Sequence, residues 1–268
     1  MNRLKTSGAD SSGLQLRGAA ACAVAIACGI AALHASPARA ERMTVSVATG
    51  PAFAPFEYTD EKTHKLVGFD IDMIKAVAEE GGFDVKIVPM PLDGIIPAVE
   101  NGTVDAAISA IAITGERATK VDFTEPYYDS GLGILVSGKA KGSVKSEADL
   151  KGRRICVQKA TSGAALASRI EDAKITELSS APETYAELGK GGCDAVISDY
   201  KVHAYYMETA KPSGMTLLPD MITSEQYGIA MSKSKPKVQE AIRAGLAKVR
   251  SNGHYEAVFR KWFSDAGR

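Results

Sequence analysis

The chain of 268 residues carries 32 Lys and Arg against 32 Asp and Glu, and 45% of it is apolar. Nothing in that balance argues for nucleic-acid binding, and the length suits one large or two small domains after any processing.

The amino terminus reads as a secretory signal. Arg3, Lys5 and Arg17 lie in a polar lead, residues 18–33 are almost wholly apolar, and His34-Ala35-Ser36-Pro37-Ala38-Arg39-Ala40 supplies an Ala-x-Ala site. Residues 1–40 are therefore taken as a signal peptide, with Glu41 opening the mature chain. The apolar stretch is shorter than the roughly 20 residues that span a bilayer. Lipidation at Cys28 is the weaker alternative, because the Ala-x-Ala site is better formed. The signal holds four of the basic residues and one of the acidic ones, which leaves 28 basic against 31 acidic, a net of −3. Cys156 and Cys193 remain. Both read as strand-associated, and the sequence leaves open whether they pair or sit reduced in a sheet.

Alternating elements follow. Thr44 to Thr49 reads as a strand. Phe69, Met73, Ile74, Val77 and Ala78 mark a helix from Phe69 to Glu80, closed by Gly81-Gly82. Asp70 and Asp72 at its start read as capping and helix-dipole charges. Asp84 to Pro89 is a strand, Gly94 to Glu100 a short helix, and Ala106 to Ala110 a third strand. A second unit repeats the pattern: strand Arg154 to Gln158, helix Ser162 to Ile170, strand Ile175 to Leu178, helix Pro182 to Leu188, strand Ala195 to Asp199. Each unit predicts a mostly parallel sheet covered by helices, the α/β class. Two extended stretches, Tyr127 to Val136 and Glu225 to Met231, flank the second unit. Two helices end the chain: one has the stripe Val238, Ile242, Leu246 and Val249, the other runs from Tyr255 to Phe263. The economical arrangement returns them to the first unit, giving two lobes, two connections and one cleft, a preferred place for a small ligand.

Arg117 follows the third strand, at the sheet end where open α/β folds place ligands. Its planar fork of donors suits a carboxylate, although spacing alone is equally compatible with a solvated arginine on a short helix. Asp199 closes a strand, where it also reads as the N-cap of a helix from Tyr200 to Ala210. No Ser/His/Asp arrangement, metal cluster or phosphate loop is evident, so neither a metal nor a cofactor is expected. His64, His203 and His254 have no evident chemical company.

Several segments, in this order, carry a resemblance: Pro55-Phe56-Glu57-Tyr58, Gly68-Phe69-Asp70-Ile71-Asp72, Asp93-Gly94-Ile95-Ile96-Pro97-Ala98, Ile113-Thr114-Gly115-Glu116-Arg117, Val121 to Tyr128, Gln226-Tyr227-Gly228-Ile229-Ala230 and Lys261-Trp262-Phe263. The chain resembles the periplasmic polar-amino-acid-binding proteins of ABC uptake systems (solute-binding protein family 3), most closely the glutamine-binding branch. The resemblance implies a type II periplasmic binding fold. One lobe would comprise residues 41–126 and 228–268 and the other residues 132–222, with a two-strand hinge at 127–131 and 223–227. It implies that Arg117 grips the ligand's α-carboxylate, helped by backbone donors near Ala112, with Ala110 beside them and Thr161 and Ser162 contributing from the second lobe. Asp199 would pair with the α-ammonium. Phe53 and Leu92 would cover the ligand side chain, where ordinary core packing is the competing explanation, and Gln158 would reach its polar end.

Two positions depart from the family pattern. Gly50 stands where relatives selective for glutamine or basic amino acids often carry an aspartate, which argues against arginine, lysine or ornithine. Ala112 stands where a hydroxyl usually supports the ammonium, a loss of about 0.5 to 1.5 kcal/mol. Glutamine is the leading candidate, ahead of other uncharged or acidic amino acids. The expected protein is a periplasmic monomer that passes its ligand to an ABC permease in the inner membrane. A dehydratase of cyclic amino-acid precursors, with Glu57 or Glu225 as the acid, and a ligand-presenting sensory protein are the alternatives.

Overall fold

The computed structural model describes residues 42–263. The signal segment, its cleavage site and Cys28 lie outside them. In chain order the first sheet begins with β1 (Thr44–Thr49), whose Val45, Val47 and Ala48 are fully buried. A small antiparallel sheet follows, made of β2 (Ala52–Phe53), β3 (Glu57–Thr59) and β4 (Leu66–Val67). The chain then forms α1 (Phe69–Gly81), β5 (Asp84–Pro89), α2 (Leu92–Glu100), β6 (Ala106–Ala107), α3 (Gly115–Lys120) and β7 (Asp122–Phe123). After β8 (Tyr128–Ser130) and β9 (Leu132–Ser137) come β10 (Arg154–Gln158), α4 (Ser162–Ala167), β11 (Lys174–Leu178), α5 (Ala181–Lys190), β12 (Ala195–Asp199), α6 (Tyr200–Ala210) and β13 (Met215–Leu217). The return consists of β14 (Glu225–Tyr227), β15 (Ala230–Met231), α7 (Pro236–Ser251) and α8 (His254–Phe263).

Two five-stranded sheets share one topology. The first runs β5-β1-β6-β15-β7 and the second β11-β10-β12-β9-β13. In each, the first three strands are parallel, and the last two join through an antiparallel fourth strand. Those fourth strands are also the points of crossing. β8 runs on into β9 of the second sheet, β14 runs on into β15 of the first, and β8 and β14 pair antiparallel from Glu225↔Ser130 to Tyr227↔Tyr128. Gly131 is needed at this crossing, since a Cβ there would lie 2.2 Å from the carbonyl oxygen of Thr223.

Helix α1 buries Phe69, Met73, Ile74, Val77 and Ala78 and ends at Gly82 in the left-handed region, φ 74°. Its partner α7 buries Val238, Ile242, Leu246 and Val249, each of which contributes about 1.5 to 3 kcal/mol of transfer free energy. The two backbones touch at Gly245, where a Cβ would fall 2.2 Å from the Val77 carbonyl oxygen. Helix α8 is pinned to α1 by Asp72, whose Oδ2 accepts from Lys261 Nζ at 2.6 Å and Trp262 Nε1 at 2.7 Å.

Several sequence expectations need correction. Asp70 and Asp72 do not cap α1: Gly68 is the N-cap and receives no side-chain bond there, and Asp70 is fully buried in contacts described below. The third strand stops at Ala107, because Ala110 adopts φ 45° and turns the chain out of the sheet. Helix α2 starts at Leu92, two residues early, and α4 ends at Ala167. His203 is buried and bonded to the Tyr185 hydroxyl at 3.1 Å, and His254 lies 3.3 Å from Glu80.

The cysteine question, left open by the sequence, is answered by a disulfide between Cys156 in β10 and Cys193, which precedes β12. The bridge closes a loop with a sequence separation of 37 residues. Chain-entropy arguments give such a loop about 4 kcal/mol of stabilisation. Reduction, or Cys193→Ser, is expected to lower the free energy of unfolding by about 2 to 4 kcal/mol in a denaturant titration.

Candidate ligand site

The first-lobe wall of the cleft starts from α3. Thr114 caps this helix by accepting from the Arg117 backbone N–H at 3.2 Å, which fixes Arg117 in its first turn. The guanidinium then bridges the lobes. One Nη donates to the Ala112 carbonyl at 2.8 Å and the other to the Ala160 carbonyl, across the cleft, at 2.9 Å. Two of its five donors are so used. Burial pulls its pKa down, against the nearby charges of Glu225 and Glu116, and the group stays cationic at any physiological pH.

The opposite charge comes from the second sheet. Asp199, at the end of β12, is 2% exposed. Its Oδ1 caps α6 by accepting from the Lys201 and Val202 backbone N–H groups at 2.8 and 3.2 Å. Its Oδ2 accepts from the hydroxyls of Ser130 and Tyr227, the latter at 2.5 Å. Burial raises its pKa, and these four donors oppose the rise. The cap and the cleft-facing acid are thus one group, held by both crossing strands.

One cavity, with an empty space of about 660 Å³ including its open mouth, is lined by all ten residues that the sequence marks: Gly50, Phe53, Leu92, Ala110, Ala112, Arg117, Gln158, Thr161, Ser162 and Asp199. Phe53 comes from β2, Leu92 from the first turn of α2, and Gln158 from the end of β10. Gln158 Nε2 donates to the Ser179 carbonyl at 3.3 Å, while its buried Oε1 has no partner within the protein. Thr161 caps α4 by accepting from Ala164 N–H, and the Ser162 hydroxyl donates to Glu225 at 2.8 Å. Ala112 acts through its carbonyl, which holds Arg117.

Sequence reasoning missed Ser109, Ser198, Tyr227 and the wall position of Glu57. Ser109 could have been found, since it is the one polar residue in an otherwise apolar run. Tyr227 reaches the cavity only through the crossing of β14 over β8, which no local signal reveals.

Polar side-chain contacts also join the lobes. Lys159 pairs with Asp93 at 2.6 Å, Tyr58 and Tyr205 share a hydroxyl contact at 3.2 Å, and Arg117 reaches Ala160 as described. No cluster able to hold a metal ion occurs among the described residues. None of the described helices is long and apolar enough to cross a membrane.

Comparison with known proteins gives these features a family. Residues 45–265 match the bacterial extracellular solute-binding proteins, family 3. A probable histidine-binding protein of Neisseria gonorrhoeae is 34% identical over 260 residues, covering 91% of this chain and 96% of its own. A solved ancestral arginine-binding protein bound to glutamine is 35% identical, with a TM-score of 0.76, over 84% of this chain and 99% of that one. An ancestral arginine-binding protein bound to arginine is 36% identical, with a TM-score of 0.77, over 83% of this chain and 99% of that one. With its two α/β lobes joined by a pair of crossing strands, the fold is of the type II periplasmic-binding kind, and the chain belongs to the family 3 bacterial extracellular solute-binding proteins.

Proposed function

We propose that this protein binds a polar α-amino acid between its lobes in the periplasm and hands it to an ABC permease for uptake. The observation that carries the reading is the presence of Arg117 and Asp199, opposite charges from different lobes, on one cavity. A zwitterion leaving water recovers its hydration only through charge-assisted hydrogen bonds of both signs, which this pair supplies. In this reading Arg117 takes the α-carboxylate, with Thr161 and Ser162 completing its site from the second lobe, and Asp199 takes the α-ammonium. Phe53 and Leu92 cover the side chain, and the unpartnered amide oxygen of Gln158 faces its polar end. Gly50 adds no acid of its own to this wall, which makes glutamine the first candidate. Because the ligand touches both lobes, it favours the closed arrangement over the open one, with β8 and β14 as the hinge.

A dehydratase would need an acid free to protonate its substrate. Glu225 is held by Ser162 and Thr223 and Glu57 through one oxygen by Ser109, whereas Arg117 and Asp199 together present both charges that a zwitterion needs, so binding without chemistry is the reading we favour. The test is calorimetric titration of unfolded and refolded protein, stripped of carried-over ligand, against the twenty amino acids. Saturable binding of one or a few is expected. Binding of none would overturn the reading.

A further inference from the structure

In the proposed binding mode two hydroxyls of the second lobe, those of Thr161 and Ser162, stand at the ligand carboxylate, and the hydrogen of each is already engaged by the protein. Thr161 Oγ1 donates to the Gln158 carbonyl at 2.7 Å and accepts from the Ala164 backbone N–H at 3.0 Å. Ser162 Oγ donates to Glu225 Oε2 at 2.8 Å. A hydroxyl has one hydrogen to give, so neither can donate to a carboxylate while these bonds stand. The two acceptors differ. A backbone carbonyl can only accept, whereas a carboxyl group becomes a donor when it takes a proton. Ser162 is therefore the hydroxyl whose hydrogen can be released.

Glu225 is placed to control that release. It is half-buried at the start of β14 and is the register partner of Ser130 in β8. Its Oε1 accepts from the Thr223 hydroxyl at 3.4 Å, and Thr223 Oγ1 accepts in turn from the Leu132 backbone N–H at 2.8 Å. Glu225 thus joins the head of α4, which carries Ser162, to the crossing strands. The charged groups around it are Arg117 from α3 and Asp199 from the head of α6, while Tyr227 on its own strand presents a neutral hydroxyl. Asp129 of β8 is turned to Gln226, whose Nε2 donates to it at 2.9 Å. Burial raises the Glu225 carboxyl above the usual carboxylate range, against its bonds from Ser162 and Thr223 and the charge of Arg117, with the Asp199 charge adding to the rise. A ligand carboxylate at Ser162 would put a second anion on one hydroxyl, which favours protonation of one of the two.

We propose that Glu225 is a positioning residue for the carboxylate site: it holds the Ser162 hydrogen in the free protein and yields it to the ligand carboxylate by taking up a proton. In that step a proton from solvent joins Glu225 Oε2, and the new O–H donates to Ser162 Oγ. The Ser162 hydroxyl keeps its own hydrogen and turns it from Glu225 to the ligand. Glu225 is not among the residues that line the cavity, so it acts only through Ser162. The proposal rests on the amino-acid-binding reading above.

The test is calorimetry of glutamine binding in two buffers of different ionisation enthalpy, which counts the protons exchanged, repeated from about pH 5 to 8. The bound state holds the extra proton, so uptake of up to one proton is expected, and affinity should fall as pH rises by up to about tenfold per unit. Glu225→Gln places an amide where the protonated acid would be: its Nε2 can donate to Ser162 Oγ at every pH, and its Oε1 can still accept from Thr223. In this variant the proton uptake should vanish, and at pH 8 glutamine should bind about tenfold more tightly than in the wild type, the two converging as pH falls. A merely structural role for Glu225 gives weaker binding instead. Thermal unfolding checks the fold, and the wild-type proton count stands even if the variant does not fold. Wild-type binding without proton uptake, uptake that persists in the folded variant, or a folded variant that binds no more tightly at pH 8 overturns the proposal. If glutamine does not bind but others of the twenty amino acids do, the tightest of them is the probe; if none binds, the amino-acid reading itself has failed.

Discussion

Arg117→Ala is expected to weaken ligand binding by two to three orders of magnitude while the protein still folds. The guanidinium is the cation on the cavity wall, and a ligand carboxylate buried without it would be an unpaired charge, a loss of about 3 to 5 kcal/mol. The fold should survive because the backbone of α3 is held by the Thr114 cap and by its own turn, neither of which involves the side chain. What the substitution does remove is the bond to Ala160 across the cleft, so the free protein should also populate the open arrangement more. Arg117→Lys keeps the charge but loses the fork, and should recover only part of the affinity. Calorimetric titration measures the binding loss and a thermal melt the fold; wild-type affinity in Arg117→Ala would mean that the carboxylate lies elsewhere.

Asp199→Asn should separate two roles that one carboxylate combines. Asparagine caps a helix as well as aspartate does, so acceptance from Lys201 and Val202 should continue and α6 should keep its start. Ser130 and Tyr227 can each turn a hydroxyl to accept from the new amide, so the crossing strands need not separate. A ligand ammonium, by contrast, would meet an amide in place of an anion, at an expected cost of about 2 to 5 kcal/mol in binding. Asp199→Ala should add the loss of the cap, about 1 kcal/mol, visible as a lower melting temperature. If Asp199→Asn binds as tightly as the wild type, the acid serves only the helix and the hinge.

These outcomes rest on residues whose legibility in the sequence was unequal, for physical reasons. Strands Thr44–Thr49, Asp84–Pro89, Arg154–Gln158 and Ala195–Asp199 fall where alternating or continuous apolar residues put them, because those segments are stabilised by facing a core at a fixed period. Helix α7 is legible for the same reason: its stripe of Val238, Ile242, Leu246 and Val249 needs no knowledge of its partner. Asp70 fails the same kind of local reading. Two acids at a helix start look like dipole charges, and only the fold brings Tyr127, 57 positions away, and Ala110, 40 away, onto one oxygen of Asp70. That contact also explains the shortened third strand, since the bond from Ala110 to Asp70 holds the turn with positive φ that ends it.

The cavity shows the same division. Arg117 and Asp199 occupy helix starts and a strand end, positions that open α/β sheets give to ligands, but their residue types leave a solvated arginine and a helix cap open, and only the family resemblance singles them out. Ser130 and Tyr227 hold Asp199 from separations of 69 and 28 residues, and Glu57 meets Ser109 across 52. Such supporting contacts depend on where the chain crosses between sheets. In the proposed function they set how the ligand's charge would be met.

The central claim is that a single zwitterion is clamped by Arg117 from one lobe and Asp199 from the other. It is tested most directly by titrating the protein with its bound amino acid beside the N-acetyl and α-carboxamide derivatives of that amino acid. The clamp predicts that removing either end charge weakens binding at least a hundredfold and that removing both abolishes it. Binding of either derivative within about threefold of the parent amino acid would contradict the clamp, because the charge it lacks would then have no partner in the cleft.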